Sequence, residues 1–359
     1  MYKNIPAVAR TVYGPGSFNQ LGDILAPKRQ RPEDFMVFIV DNYFKGKELE
    51  TRLPVQGRDM TFFVDVTPHE PTTEQIDHLR DAILQAQGLP AGVIGIGGGS
   101  IMDIAKAVAL MLTNEGSSEQ YQGLNLIKNP GVYHVGVPTI SGTGAEVSMT
   151  AVLTGPKKKL GIKCEWTVFD QIVLDPTLTA TVPRDQWFYT GMDTFIHCIE
   201  SITGHMQNTY SQAYGYKALD LCREVYLGPN SGQNPEMNEK LMVASLFGGL
   251  SLTYSEVGIC HALSYGLSYV LGMRHGYANC IAFNHLEDFY PEGVREFKAM
   301  AAKHHIYLPQ NLSRNWTDEQ IEKMTEISLG LHHMWSHALG PHWQEKITPQ
   351  QVQELFERM

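Results

Sequence analysis

Four side chains in the second half of the chain have the residue types and spacings that bind a divalent metal. Asp193 and His197 are four residues apart, so on a helix they share one face and reach the same ion. His261 begins a later helical stretch, and His275 lies about four helical turns beyond it. One carboxylate with three imidazoles suits Fe²⁺ or Zn²⁺, and the imidazoles exclude a calcium-type site. For the first pair alone, an acid in a helix and a histidine packed on a neighbouring helix is the alternative.

A glycine-rich turn in the first half predicts a phosphate site. It follows a short apolar run and precedes a helical stretch over residues 101–112, which carries Asp103 and Lys106 in its first turns. Backbone amides at the start of a glycine-rich helix point outward and bind phosphate oxygens. The ordinary dinucleotide fingerprint needs a third glycine where Ser100 stands, and a plain strand-to-helix turn is the alternative. The candidate diphosphate residues are Gly97, Gly98, Gly99, Ser100 and Asp103.

Two more segments are candidates for binding a nicotinamide nucleotide. Asp41 closes an apolar run, where its carboxylate can accept hydrogen bonds from a ribose and would repel a 2′-phosphate, which favours NAD over NADP. A turn or cap residue is the alternative for this Asp. The loop 138–146 offers the hydroxyls of Thr139, Ser141 and Thr143, and we assign it to the nicotinamide end. An ordinary Ser/Thr/Gly loop is the alternative there.

The periodicity of apolar residues predicts two domains that hold these groups. Apolar runs at 35–40, 62–66 and 92–96 alternate with helical stretches such as 72–87, as in βαβ units whose parallel strands are buried on both faces. After residue 183 the helical spacing persists to the end of the chain. We therefore predict an α/β, Rossmann-like domain over 1–183 and an all-α domain over 184–359.

Composition limits the classes of partner. The 359 residues are 43% hydrophobic and 18% charged, which fits a soluble globular protein of two domains. A net charge of −10 argues against nucleic acid and anionic membrane partners. The amino terminus lacks an apolar signal core and no run approaches a bilayer span, so the cytoplasm is expected. Five widely spaced cysteines without a Cys-x-x-Cys motif predict buried free thiols.

Taken together, these motifs resemble the iron-containing (group III) alcohol dehydrogenases over essentially the whole chain. The glycine turn, the Thr-Gly loop, the Asp-x-x-x-His helix and the two later histidines occur in the family's order and at its separations. The resemblance implies a dehydroquinate synthase-like fold whose interdomain cleft holds NAD(P) and one divalent metal, in a homodimer. It also implies that Lys159 approaches the nucleotide, and a solvated run of lysines is the alternative.

Three positions depart from the family's pattern. Tyr265 stands where many members have a histidine near the nicotinamide, so the proton leaves through Tyr265, water, a substrate hydroxyl or a ribose. Arg274 replaces the usual proline before the last ligand, and its guanidinium would favour an acidic substrate, unless it turns away to a surface acid. Ile140 replaces the usual second threonine of the loop. His205 is a further candidate for substrate contact.

The predicted reaction is oxidation of a primary alcohol of a polyol or sugar acid to an aldehyde, with hydride transfer to NAD(P). The chain is similar to the branch that oxidises C8 of 3-deoxy-D-manno-octulosonate (Kdo) in lipopolysaccharide biosynthesis, where an aminotransferase would consume the aldehyde. The alternatives are a sugar-phosphate cyclase of related fold, an oxygen-using oxidase on the same scaffold, and a non-catalytic nucleotide-binding protein. The histidine-rich segment 331–342 predicts helix packing rather than a second metal site.

Overall fold

A computed structural model describes residues 5–359 as two compact units. Residues 1–4, the start of the segment in which we find no signal core, lie outside the described residues. The first unit ends at Ile140 and resumes over Ala145–Ala180, whereas the second contains Ser141–Gly144 and Thr181–Met359. The main boundary lies at 180 rather than at the predicted 183, and the second unit also takes in four loop residues, of which Gly142 and Gly144 are bonded to Ser245 on a helix of that unit.

The first unit contains a six-stranded sheet with the order β1-β9-β6-β4-β2-β3, in which every pair is parallel. A three-stranded sheet, β5-β8-β7, lies in the same unit and ends in an antiparallel pair. The strands are β1 (Arg10–Tyr13), β2 (Met36–Asp41), β3 (Met60–Val64), β4 (Gly92–Gly97), β5 (Gly123–Leu124), β6 (Tyr133–Pro138), β7 (Thr150–Thr154), β8 (Lys159–Lys163) and β9 (Gln171–Leu174). The helices are α1 (Leu21–Leu25), α2 (Glu48–Thr51), α3 (Thr73–Gln87) and α4 (Gly99–Met111).

The runs that predicted buried strands form the centre of the large sheet. All six residues of β4 and the first five of β2 are buried, as expected of parallel strands covered on both faces. Between β4 and α4, Gly95 is necessary because an added Cβ would come within 2.6 Å of the Ala105 Cβ. The close approach sets the start of α4 directly at the carboxyl end of β4.

The second unit consists of helices throughout its described secondary structure. They are α5 (Arg184–Thr203), α6 (Thr209–Leu227), α7 (Pro235–Tyr254), α8 (Ile259–Leu271), α9 (His275–Phe283), α10 (Pro291–Lys303), α11 (Asp318–Leu329), α12 (His332–Leu339) and α13 (Pro349–Glu357). Side-chain caps fix where α6 and α7 begin, because Asn208 and Asn234 accept backbone N–H groups at the starts of these helices. A parallel sheet followed by a helical unit confirms the predicted fold class.

Two further expectations concern membranes and cysteines. Among residues 5–359, length and hydropathy disqualify every single helix as a membrane span, although α7 and α8, bent by 103°, pass as a pair. Cys164, Cys198, Cys222, Cys260 and Cys280 are all buried and unbridged, as predicted.

Candidate functional site

The four predicted metal ligands converge within the second unit. Asp193 and His197 lie on α5, His261 is on α8 and His275 is the first residue of α9. One ligand atom from each lies within 4.8 Å of the others. The Nε2 atoms of His197 and His261 are 3.4 and 3.3 Å from Asp193 Oδ1. The His275 Nε2 is 3.5 Å from Asp193 Oδ2, so three imidazoles surround one carboxylate.

Local backbone features explain how three helices reach one point. Gly272, with a φ of 66°, ends α8 in the left-handed conformation that favours glycine, and the turn starts α9 only three residues later. His261 and His275 therefore approach from separate helices, α8 and α9. Gly191 lets α5 pack closely, since an added Cβ would lie 1.7 Å from the Tyr226 hydroxyl.

The donor set fits a divalent cation. The side chain of Asp193 is completely buried, and within residues 5–359 its Oδ2 accepts no hydrogen bond. An ionised carboxylate oxygen is costly to bury without a partner, and a cation between Oδ2 and the imidazoles would supply one. Three nitrogen donors and one oxygen donor match the preferences of Fe²⁺ and Zn²⁺.

The pKa values of these groups follow from burial and from the charges of their neighbours. Burial acts to raise the pKa of Asp193, but the surrounding imidazoles outweigh it and hold this pKa below its ordinary value. Burial lowers the pKa of His197 to about 4 against the opposing charge of Asp193. For His261, burial is outweighed by Glu200 and Asp193, which raise its pKa to about 9. A cation would therefore displace a proton from His261 on binding.

Two residues that the sequence analysis did not select complete this cluster. Glu200 is buried on the same face of α5, and its Oε2 is 2.5 Å from His261 Nδ1. Asn279 donates its side-chain amide to Asp193 Oδ1 at 2.6 Å, and the same nitrogen is 3.2 Å from the Nε2 atoms of His261 and His275. Their spacing in the sequence could have identified both residues, because Glu200 follows His197 by three residues and Asn279 follows His275 by four, which places each on the same helix face as a ligand.

The residues predicted to contact the substrate or carry its proton are Tyr265, Arg274 and His205, and the structure places them differently with respect to the metal ligands. Tyr265 is one turn beyond His261 on α8, mostly buried, with its ring 6.1 Å from the His275 ring in an edge-on arrangement. Arg274 is exposed and occupies the N-cap position of α9, directly before His275. His205 is exposed beyond the end of α5, and an added Cβ at Gly340 would lie 3.1 Å from its ring. Tyr265 therefore lies against a ligand ring and Arg274 is next to a ligand in the chain, whereas His205 lies beyond the end of α5.

In the first unit, the glycine turn forms an open helix start. Among the described residues, no side chain caps the start of α4, so its first amides stay available for an anion. Gly97 is necessary there, because an added Cβ would lie 2.5 Å from Ile101 and 3.1 Å from the Asp41 Cβ. Asp41 ends the adjacent strand β2 and accepts the Tyr43 N–H at 2.9 Å. The predicted ribose-binding acid and the predicted phosphate turn are thus neighbours.

The Thr-Gly loop is divided between the two units. Thr139 is buried and donates its N–H to the Gly97 carbonyl at 2.9 Å, within the first unit. In the second unit, Ser245 Oγ accepts the N–H groups of Gly142 and Gly144 at 2.8 and 3.2 Å. These bonds hold the segment that carries Ser141 and Thr143. Within residues 5–359 the buried Ser141 hydroxyl has no hydrogen-bond partner, which leaves it available to a ligand.

Ile140, the apolar departure in this loop, packs against the glycine turn. An added Cβ at Gly98 would lie 2.9 Å from its Cγ2 atom. Together with the bond from Thr139 to Gly97, this contact ties the loop to the start of α4. The bulk of Ile140 therefore makes a bare glycine necessary at 98.

A buried charge cluster lies behind the glycine turn. Lys159 begins β8 and is buried in an ion pair with Glu70, so the solvated alternative does not describe it. Lys106 is fully buried and donates to the carbonyls of Ser148 and Thr150 at 2.8 and 3.0 Å. Burial raises the pKa of Asp103 to about 7, although Lys106 acts against that rise. Asp103 and Lys106 lie in the first turns of α4, Lys159 is on β8, and Glu70 precedes α3.

Comparison with known proteins matches both units. A family model described as iron-containing alcohol dehydrogenase matches residues 8–176, and one described as the C-terminal part of the Fe-containing alcohol dehydrogenase family matches residues 187–336. The sulfoacetaldehyde reductase of Bilophila wadsworthia is 33% identical over 65% of this chain, which spans 60% of that relative's length. Both family descriptions name iron-containing enzymes, which agrees with the expected divalent metal.

Solved structures show the same fold. A 1,3-propanediol oxidoreductase superimposes with a TM-score of 0.86 at 20% identity and covers 99% of both chains. A sulfoacetaldehyde reductase from Bifidobacterium kashiwanohense, solved in complex with NAD+, has a TM-score of 0.81 at 23% identity, covering 99% of this chain and 98% of its own.

Proposed function

The chain belongs to the iron-containing alcohol dehydrogenase family, and on that premise we propose that it interconverts a primary alcohol and an aldehyde on a small anionic substrate. In the oxidative direction the alcohol carbon loses a hydride to NAD⁺, its hydroxyl loses a proton, and the products are an aldehyde and NADH. The observation that carries the proposal is the buried four-ligand cluster with an arginine directly before its last ligand.

The residues of the second unit have separate roles in this reaction. Asp193, His197, His261 and His275 hold a divalent metal, which as a Lewis acid favours the ionised form of an alcohol. Tyr265, one helical turn from His261, takes the hydroxyl proton while its own phenolic proton passes to water, so the phenol stays neutral. Its position against the His275 ring supports this role, because a proton carrier must lie within reach of the reacting oxygen.

The first unit and the Thr-Gly loop bind the nucleotide in this proposal. The uncapped start of α4, at Gly97, Gly98, Gly99 and Ser100, binds the diphosphate. Asp41 binds the adenosine ribose and disfavours a 2′-phosphate, which selects NAD. The hydroxyls of Thr139, Ser141 and Thr143 face the nicotinamide end, and Lys159 and Asp103 complete the site behind the turn.

The substrate class rests on Arg274. Arg274 is exposed and directly precedes His275 in the chain, and its guanidinium binds a carboxylate or sulfonate through charge-assisted hydrogen bonds. The Bilophila relative is named for an aldehyde that carries a sulfonate, which supports an anionic substrate. Within this class we retain an acidic polyol such as Kdo, with an aminotransferase acting on the aldehyde, and His205 as an outer substrate contact. We also propose a cytoplasmic homodimer.

Other reactions on this scaffold are less well supported. The relatives described above are named as two reductases and one oxidoreductase, which does not favour a sugar-phosphate cyclase, and the two reductase names do not favour an oxygen-using oxidase. Metal analysis, together with NADH absorbance and oxygen consumption in one assay, separates these outcomes. Formation of NADH without oxygen uptake supports the dehydrogenase, whereas oxygen uptake without NADH overturns it.

The substrate proposal is tested with Arg274→Ala and paired acidic and neutral alcohols. Loss of a charge-assisted contact of about 1.5–3 kcal/mol should lower kcat/KM for the acid by roughly 10–100-fold. Turnover of the neutral analogue should stay unchanged. Arg358→Ala is the matched control, because Arg358 is an exposed arginine of the same unit that pairs with Asp288. An equal fall for both substrates, or none for either, would contradict the proposed preference.

A further inference from the structure

Glu200 is a buried acid whose side chain lies beside the metal ligands. Glu200 is 1% exposed, and it lies on the face of α5 that also carries Asp193 and His197. Gly258 makes room for it, because an added Cβ there would lie 3.1 Å from Glu200 Oε1 and 2.8 Å from the Tyr290 hydroxyl. A fully buried acid is costly unless its oxygens are satisfied, so its partners indicate what it does.

Both carboxylate oxygens of Glu200 receive a donor. The Cys260 N–H donates to Oε1 at 2.7 Å, with the Tyr290 hydroxyl more distant at 3.5 Å. His261 Nδ1 is 2.5 Å from Oε2. An ionised carboxylate only accepts hydrogen bonds, so Nδ1 must carry its proton. The other ring nitrogen, Nε2, is then the one directed at Asp193, 3.3 Å away.

We propose that Glu200 is a positioning residue that fixes the proton of His261 on Nδ1 and so commits Nε2 to the metal. The inference rests on the metal site of the proposed function and on no assumption about substrate. A carboxylate behind a histidine ligand also raises the electron density of the ring and fixes its orientation. Glu200 thus holds His261 while the anchored backbone of Cys260 holds Glu200.

The effect of Glu200→Gln follows from counting donors and acceptors. Glutamine keeps one acceptor oxygen but places an amide donor where the second oxygen was. Because the Cys260 N–H cannot reverse its direction, the amide donor must face His261. The imidazole would then accept at Nδ1 and carry its proton on Nε2, the atom needed by the metal. Such outer-shell changes typically lower metal affinity by about 10–100-fold.

The experiment measures Zn²⁺ affinity of the full-length, chelator-stripped protein by competition with a fluorescent chelator, without substrate or nucleotide. Glu200→Gln should bind Zn²⁺ about 10–100-fold more weakly than the wild type, and Glu322→Gln, an exposed acid on α11, should bind as the wild type does. In a His261→Ala background, Glu200→Gln should cause less than about twofold further loss, because its effect passes through His261.

Three results would overturn the inference: an unchanged affinity of Glu200→Gln, an equal loss in both backgrounds, or absence of Zn²⁺ binding by the wild type. If Glu200→Gln does not fold, Glu200→Asp replaces it, since the shorter acid keeps the charge but cannot span to Nδ1, and a weakened affinity is again expected. A wild type that binds Zn²⁺ but oxidises no alcohol would refute the proposed function and leave this inference standing.

Discussion

Metal binding should stabilise the second unit in a way that depends on all four ligands. Asp193, His197, His261 and His275 belong to three helices of one unit, and these helices separate on unfolding. A cation bound by the folded cluster and not by the unfolded chain therefore raises the free energy of unfolding. The perturbation is addition of Zn²⁺ to the chelator-stripped protein, compared with the same addition to His275→Ala.

The size of the effect follows from mass action and chain length. At a free metal concentration about 1,000 times Kd, the stabilisation is about 4.1 kcal/mol. With about 2.1 cal/mol/K of unfolding entropy per residue, this free energy raises Tm by roughly 5 °C if all 359 residues unfold together. If the second unit, with roughly 180 residues, unfolds by itself, the rise is about 11 °C.

Differential scanning calorimetry with and without the metal checks this prediction. His275 is the best ligand to remove, because its side chain is 27% exposed whereas that of Asp193 is fully buried, so its truncation disturbs packing least. We expect the wild-type shift to fall by more than half in His275→Ala at the same metal concentration. Equal Tm shifts in the two proteins would refute the four-ligand site, and so would a wild type whose Tm does not change when Zn²⁺ is added.

Three further predictions concern the loop, the charge cluster and the proton path. Gly142→Ala places a Cβ 1.8 Å from the Thr190 carbonyl oxygen at a φ of 154°, and we expect it to lower the urea midpoint strongly. Gly232→Ala is the control, because it has a strained φ of 123° but open space around the Cβ, so it measures the backbone strain without the steric clash. An equal fall of the urea midpoint in both variants would contradict the role of the clash. Burial raises the pKa of Asp103 to about 7, so the folded state holds a proton that the unfolded state releases near pH 4, and stability falls as pH rises from about 4 to 7. Urea midpoints of Asp103→Asn should change less over that range than those of the wild type, and parallel curves would exclude the effect. Tyr265→Phe should lower kcat for alcohol oxidation by about 10²–10⁴-fold if the phenol carries the proton, whereas unchanged pH–rate profiles would exclude it.

The local sequence determined the elements and much of the candidate chemistry. Continuous β-branched runs predicted the buried strands β2 and β4, and helical spacing predicted the helices of the second unit, because these patterns depend on near neighbours. The Asp193 and His197 pair was visible for the same reason, since a helix brings residues four apart onto one face. The glycine turn was visible because only glycine permits the close approach of α4 to its strand.

Other features were decided by contacts between distant residues. The segment Ser141–Gly144 belongs to the second unit through bonds to Ser245 on α7, and no pattern within the loop records a partner a hundred residues away. The lysine run near 157 becomes the turn of a hairpin in which Lys159 is buried against Glu70. Composition alone favours a solvated run there.

The metal cluster also depends partly on local sequence and partly on contacts between distant residues. Sequence by itself determined which residue types were available as ligands and which face of α5 presents them. Only the tertiary structure decided that α8 and α9 bring His261 and His275 to that face, and that Glu200 and Asn279 bond to the ligands rather than to one another. The physical reason is that helix periodicity is a local property of the backbone, whereas the meeting of three helices depends on packing across the whole unit.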